Sequence, residues 1–310
     1  MSQSEYQLSI VVPVYRSEKI IPQLIGRVDK VFVQEGIRTE LVLIEDCGGD
    51  QSFEVISEEA KKYSWVKGYK LSRNFGQQAA TWTGFTKARG EVIAVMDDDL
   101  QDPPESLRDL YYKLQEGYDV VYGIRKRYRK DPPIRRLCYW IFYRVLNTLS
   151  SIELPLDAGD FCCMRRKVVD AILAVEDVNP YLRGIRAWVG FKQIGVEYQR
   201  NQRFAGESGY NFFKYFIFAL TGVFSFSYSP LRILAVLGLI ISGLDLVVMG
   251  ILAALAMNNV NVPMEVWLML VILMTAGWQF MAIGVLGEYL NKTYHQTKAW
   301  PVAIVDVETN

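Results

Sequence analysis

Histidine is almost missing from this chain: of 310 residues only His295 is one, close to the C-terminal end. That scarcity argues against a histidine-built metal centre and against a Ser-His-Asp triad. Cysteine is equally sparse. Cys47, Cys138, Cys162 and Cys163 form no C-x-x-C pair, and the last two are adjacent, so neither a zinc knuckle nor a disulfide framework is indicated and a reducing compartment fits best. There is no excess of either charge, with 34 basic and 34 acidic residues, which excludes a general polyanion binder such as a nucleic-acid coat and confines any basic patch to a local stretch. The opening MSQSEYQLSIVVPVY lacks the basic region, apolar core and small-residue cleavage site of a signal peptide, so the first domain is expected to stay in the cytosol. Chemistry in this chain therefore falls to carboxylates, arginines and backbone groups.

What is present is an alternation of short apolar runs and amphipathic stretches. LSIVVPVY reads as a buried strand and 17–35 as a helix; LVLIEDCGGD as a strand entering a polar turn and SFEVISEEAKKY as a helix. VKGYKLS, QAATWTGFTKA and EVIAVMDDD continue the pattern as strand, helix, strand. Apolar runs bounded by Gly, Pro and Asp and separated by helices predict an α/β fold, a Rossmann-like, mostly parallel sheet. Ligands on such sheets gather at the carboxyl ends of the strands. Pro13-Val14-Tyr15, Glu45-Asp46 and Asp97 to Asp99 all fall at such ends, so three strand ends point to one site.

In VMDDDLQDPPE, residues 95–105, an apolar strand runs into three consecutive aspartates. Like charges repel, so a cation is expected to neutralise the group unless it faces open water. If strand geometry persists, Asp97 and Asp99 project to the same side, and Gln101 adds a neutral oxygen. Two carboxylates so placed suit Mg2+ or Mn2+, which take few protein oxygens and complete their shell with water and phosphate. A lone D-x-D is common on surfaces; its position at the end of an apolar strand gives it weight.

Two long apolar runs stand near the C-terminal end, 231–257 and 266–290. Each, at about 25 residues and 1.5 Å per residue, is long enough to cross a hydrocarbon core about 30 Å thick. The connector NNVNVPMEV carries no Lys or Arg, whereas Lys214 and Arg232 precede the hairpin and Lys292 and Lys298 follow it, which predicts two transmembrane helices with both flanks cytoplasmic. Asp245 is expected to face a helix partner, and Gly238, Ser242 and Gly243 could pack against a second copy in a homo-oligomer. Two aromatic, amphipathic stretches, IRRLCYWIFYRVLNTL (134–149) and YNFFKYFIFALTGVFSF (210–226), predict helices lying in the membrane interface.

Several segments in order carry a family resemblance: VVPVYRSE (11–18), IEDCGGDQS (44–52), SRNFGQQAA (72–80), GEVIAVMDDDLQDPPE (90–105) and YLRGIRAWVGFKQIGVEYQRNQRFAGESGY (181–210). Together they resemble family 2 glycosyltransferases of the GT-A type, and more narrowly the polyprenyl-phosphate sugar synthases, a group including dolichyl-phosphate mannose synthase and the bactoprenol glucosyltransferases. The resemblance implies that Pro13, Tyr15 and Glu18 border the nucleotide, that Asp46 contacts its base, and that Asp97 lies over the ribose or the metal. It further implies that Asp99 and Gln101 coordinate the metal, that Arg200 and Arg203 lie near the phosphates, and that Ser208 and Tyr210 share their segment. Asp157 matches the family's acidic position facing the acceptor. The chain departs from the usual Asp-Asp-Gly-Ser at Glu45-Asp46-Cys47-Gly48 and from a common basic residue at Gly209. Within the basic stretch GIRKRYRKDPPIRR (123–136), Arg125, Arg127 or Arg129 is expected to guide a lipid phosphate, because guanidinium matches phosphate in a bidentate fork.

The expected organisation is a nucleotide-sugar-binding core over 1–130, an interfacial helix over 131–150, an acceptor and phosphate side over 151–209, a second interfacial helix over 210–228, two transmembrane helices over 229–290 and a cytoplasmic tail over 291–310. The expected reaction is inverting, metal-dependent transfer of one sugar from a nucleotide sugar, UDP-linked rather than GDP-linked, to undecaprenyl phosphate at the cytoplasmic face of the inner membrane. A processive polysaccharide synthase and an inert nucleotide-binding membrane scaffold are the alternatives. The first usually carries a Q-x-x-R-W motif, which this chain does not contain.

Overall fold

The computed structural model describes residues 5–125, 158–175, 177, 180–199 and 263–309, with scattered positions among 240–257. The chain divides into two compact units. The first comprises 1–143, 152–212 and 300–310; the second comprises 144–151 and 213–299.

The first unit is built on an eight-stranded sheet. Its strands are β1 (Leu8–Val14), β2 (Thr39–Glu45), β3 (Val66–Leu71), β4 (Val92–Val95), β5 (Val120–Arg125), β6 (Ala158–Arg165), β7 (Gln193–Tyr198) and β8 (Val305–Glu308), in the order β7-β5-β6-β4-β1-β2-β3-β8. Strands β3, β2, β1 and β4 run parallel, as do β5 and β7, whereas β6 is antiparallel to both β4 and β5, and β8 is antiparallel to β3. Every residue of β1, β2 and β4 is buried, which is why these strands read as near-continuous apolar runs rather than alternating ones: helices cover both faces.

Helices α1 (Ile21–Val28), α2 (Ser52–Lys62), α3 (Gln77–Lys87) and α4 (Pro104–Gln115) follow β1 to β4 in turn, and α1 widens into one π turn over Asp29–Val33. Ile21, Leu24, Ile25 and Val28 recur at helical spacing and pack with Ile10, Val12, Leu41, Leu43 and Phe32 in the main core. Each such side chain contributes about 1.5–3 kcal/mol when fully buried. The helix α3 instead lies tight on β1, because Gly84 lets it approach: a Cβ there would stand 2.2 Å from Val11 Cγ1. Beyond β6 come α5 (Arg166–Leu173) and α6 (Leu182–Trp188).

Pro13 marks where the sheet opens. Val11 accepts a hydrogen bond from Met96 N on the β4 side, so Pro13, two residues later, turns its missing N–H the same way, past the last paired residue of β4. The tertiary pairing that sequence periodicity does not show lies at the other edge. Residues 291–310, expected as a cytoplasmic tail, contain β8, which joins β3; Gly68 and Thr309 exchange bonds at 2.8 and 2.9 Å, and Lys87 pairs with Glu308.

In the second unit, α7 (Met264–Thr297) contains one segment, Trp267–Asn291, long and apolar enough to cross a membrane. No other helix among the described residues meets that test. The expected first span over 231–257 is described only at scattered helical positions, and the expected interfacial helices at 134–149 and 210–226 lie outside the described residues.

Candidate functional site

Four loops meet at the carboxyl ends of β1 to β4 and enclose a cleft of about 300 Å3, lined by Pro13, Val14, Tyr15, Asp46, Asn74, Gly76, Gln77, Asp97, Asp98 and Asp99. The backbone on this edge is under local strain: Arg16, Cys47 and Leu100 hold positive φ of 56, 50 and 56°. Such conformations persist where surrounding bonds over-determine them. Here they do: Arg16 Nε donates to Gly48 O at 2.9 Å, and Gly48 N donates to Glu45 Oε1 at 2.6 Å. A side chain at Gly48 would meet Arg16 N at 2.9 Å, so glycine permits this crossing.

The three aspartates do not share one geometry. Strand β4 ends at Val95, and Asp98 and Asp99 fall in a turn, so the expected alternation of Asp97 and Asp99 along a continuing strand is not what is found. The reason lies in their partners. Asp98 Oδ2 accepts from Tyr15 N at 3.0 Å and from Ser17 Oγ at 2.5 Å, tying the β1 loop to the β4 loop. Asp99 Oδ1 accepts from Gln101 N at 3.0 Å, which closes the turn locally. Asp97 Oδ1 accepts from Gln77 Nε2 at 2.8 Å. Burial, then the charges of Asp102, Asp160, Asp99 and Asp98, push the Asp97 carboxyl up to about 7. Burial also pushes Asp98 up, against its bonds from Ser17 and Tyr15.

An acidic group held at that cost is what a divalent cation would relieve. No set of three or more Asp, Glu, His or Cys side chains among the described residues is arranged to hold a metal unaided. Asp97 and Asp99 at the cleft therefore fit an ion that draws its remaining oxygens from water and a bound diphosphate, as Mg2+ and Mn2+ do.

Of the other expected site residues, Pro13, Tyr15 and Asp46 line the cleft. Tyr15 is exposed, with the Arg16 guanidinium over one face of its ring at 5.2 Å from the centroid. Asp46 is buried and uses both oxygens to hold the β3 loop, from Phe75 N at 2.7 Å and Gly76 N at 2.8 Å; burial raises its pKa against those two bonds. Glu18 is not among the lining residues and accepts from Gln51 N at 3.2 Å, at the start of α2. Gln101 is buried and likewise not among the lining residues. Arg125 is the last residue of β5, while Asp157, Arg127, Arg129, Arg200, Arg203, Ser208 and Tyr210 lie outside the described residues.

Sequence reasoning did not single out Asn74 or Gln77, which line the cleft, nor the Asp160–Arg183 pair beside it. The SRNFGQQAA segment that holds the first two was visible, but polar residues opening a helix look like ordinary capping. Tyr198 also goes unmarked by pattern: its hydroxyl donates to the fully buried Asp102 at 2.5 Å, joining the carboxyl end of β7 to the loop below the aspartates.

Fold and cleft together define an α/β protein with an acidic ligand site at the carboxyl edge of a mostly parallel sheet. The chain belongs to glycosyl transferase family 2: residues 9–173 match the family described as "Glycosyl transferase family 2". Its relatives match nearly end to end. It is 36% identical over 301 residues to the "Uncharacterized glycosyltransferase YkcC" of Bacillus subtilis, covering 96% of this chain and 93% of that one. It is 35% identical over 301 residues to the "Prophage bactoprenol glucosyl transferase homolog" of Escherichia coli, covering 96% and 98%. It is 33% identical over 306 residues to the "Bactoprenol glucosyl transferase" of Shigella phage SfV, covering 97% and 99%.

Proposed function

We propose that this protein transfers one hexose, with inversion, from a UDP-hexose such as UDP-glucose to undecaprenyl phosphate at the cytoplasmic face of the membrane. The observation that carries the reading is the match to bactoprenol glucosyl transferases along the whole chain, including the apolar C-terminal part as well as the acidic cleft. A polyprenyl acceptor requires a catalytic domain tethered beside a bilayer, and α7 supplies a segment suited to that.

In this reading the base lies beside Tyr15 at the β1 and β2 loops, with Asp46 holding the wall behind it. Asp97 and Asp99 would hold Mg2+ or Mn2+, and Gln101, buried behind them, would reach the ion only if the loop opened; the ion when bound would neutralise charge on the diphosphate. Cleavage of the anomeric C–O bond leaves negative charge on UDP, which Arg200 and Arg203 stabilise, with Ser208 and Tyr210 on the same segment. The incoming nucleophile is an oxygen of the lipid monophosphate, already anionic near neutral pH, so orientation outweighs proton removal. Asp157 faces that acceptor, and an arginine among Arg125, Arg127 and Arg129 draws its phosphate in from the bilayer.

The test is direct. Purified protein in detergent, given UDP-[14C]glucose and undecaprenyl phosphate, is expected to yield a lipid bearing one sugar, with turnover lost on chelation and in Asp99→Ala. A ladder of polymer lengths would instead indicate a processive synthase. Nucleotide binding without any product would indicate an inert scaffold.

A further inference from the structure

The proposed reaction leaves Tyr198 without a role, although its hydroxyl is the polar tip of a residue otherwise set in the main apolar core. Tyr198 closes β7, the strand at one edge of the sheet. The steps from β4 to β6 and from β6 to β5 are both antiparallel and that from β5 to β7 is parallel, so β7 runs in the direction of β4 and ends on the cleft edge. From there the ring crosses two strands. A Cβ at Gly123 of β5 would stand 2.6 Å from Tyr198 Cε1, so glycine leaves the passage open, and the ring then meets Phe161 of β6 at 4.9 Å between centroids. At its far end Tyr198 Oη donates to Asp102 Oδ1 at 2.5 Å, in the loop between β4 and α4 that also carries Asp97 and Asp99.

The bond is buried at both ends, with Tyr198 6% and Asp102 0% exposed. Stability does not account for it. An apolar pair such as phenylalanine facing leucine would fill the same space with nothing to desolvate, and a carboxylate taken out of water costs more than one hydrogen bond returns. What a buried polar pair supplies is direction: each group has to meet the other, so the two segments that carry them are held in one arrangement. Asp102 also acts on the cleft, because its charge raises Asp97 more than that of Asp160, Asp99 or Asp98 does.

From Tyr198 the chain passes through Gln199 to Arg200 and Arg203, the residues proposed to stabilise the leaving diphosphate. We infer that Tyr198 is a positioning residue for sugar transfer: by holding Asp102 it sets the loop of Asp97 and Asp99 against the root of the arginine segment, so that both meet the same diphosphate as the anomeric bond breaks. The inference rests on the UDP-hexose reading and adds to it a residue that acts through Asp102 and not on the substrate. The charge that leaves with the diphosphate develops in the transition state, so a loosened link costs turnover more than donor binding.

Steady-state transfer from UDP-[14C]glucose to undecaprenyl phosphate by the full chain in detergent and Mn2+, with active sites counted by calorimetric titration with UDP, tests the link. Tyr198→Phe is expected to lower kcat about tenfold while KM for UDP-glucose stays within about twofold of wild type. Combined with Arg203→Lys, the losses should not multiply, because both changes disturb one arrangement; the double variant should be about as slow as the slower single one. A role confined to packing gives losses that multiply. Should Tyr198→Phe fail to fold, Asp102→Asn, which offers the hydroxyl a neutral acceptor, goes through the same cycle, with a kcat loss of about threefold and again no multiplication expected. An unchanged kcat, or losses that multiply, would overturn the role of Tyr198 while leaving the proposed function intact. Wild type without transfer would remove the proposed function and this inference together.

Discussion

Asp97, Asp98 and Asp99 are neighbours in sequence with three different tasks, and single substitutions should separate them. Asp98 ties Tyr15 N and Ser17 Oγ to the β4 loop, so Asp98→Ala leaves two donors without their acceptor, at about 1–3 kcal/mol for each that stays out of water. A lowered melting temperature with nucleotide absent is the expected result. Asp97 differs because its folded pKa, about 7, stands above its ordinary 3.8. A carboxyl shifted upward binds its proton more tightly in the folded state; its contribution is complete below about pH 4 and is lost as pH rises through about 7. In chelator, Asp97→Asn should therefore gain melting temperature relative to wild type between pH 4 and 8, and parallel pH profiles would show that Asp97 is not the strained group. The cluster was legible in the sequence, because three acids ending an apolar strand have few explanations. Its division of labour was not, since the Asp98 bonds join residues more than 80 positions apart.

At the scale of elements, the parallel half of the sheet was readable because buried strands leave unbroken apolar runs, as LSIVVPV and TELVLIE do. The antiparallel strands were not. Strand β6, AGDFCCMR, mixes charge and cysteine, and β8, VDVE, is short and exposed on its outer side, so neither shows the pattern of a buried strand. Their partners explain them: β6 is wedged between β4 and β5, and β8 caps the edge of β3. An uncapped β3 would present a row of unpaired backbone groups. Removing residues 301–310 should accordingly lower the melting temperature and promote aggregation, as measured by light scattering during a thermal ramp. Closer to the cleft, Gly84→Ala would drive a methyl to within 2.2 Å of Val11 Cγ1 and push α3 off β1, at about 1–3 kcal/mol. Because α3 carries Gln77, nucleotide-sugar affinity should fall together with stability.

Across the whole molecule, the two units differ in how they treat apolar side chains. The sheet unit buries its large ones, whereas α7 leaves Met264, Leu268, Met269, Ile272, Ile283, Leu286 and Leu290 about half exposed or more. A soluble helix of that composition would hide one face; a membrane span presents apolar side chains to lipid all round. Trp267–Asn291, at 25 residues and 1.5 Å each, reaches roughly 37 Å, enough for a hydrocarbon core about 30 Å thick with some tilt. The protein should therefore remain in the membrane pellet after extraction at alkaline pH and high salt, and enter solution only with detergent. The basic residues on either side of the apolar region and their absence in NNVNVPMEV carry the proposed orientation, with both ends of the chain in the cytoplasm. A cysteine introduced as Asn259→Cys into a chain otherwise lacking cysteine should react with a membrane-impermeant maleimide in intact spheroplasts. One introduced as Ser2→Cys should react only after permeabilisation. Labelling of both from outside would place the acidic cleft on the wrong side of the membrane for a nucleotide donor, and labelling of neither before permeabilisation would remove the hairpin.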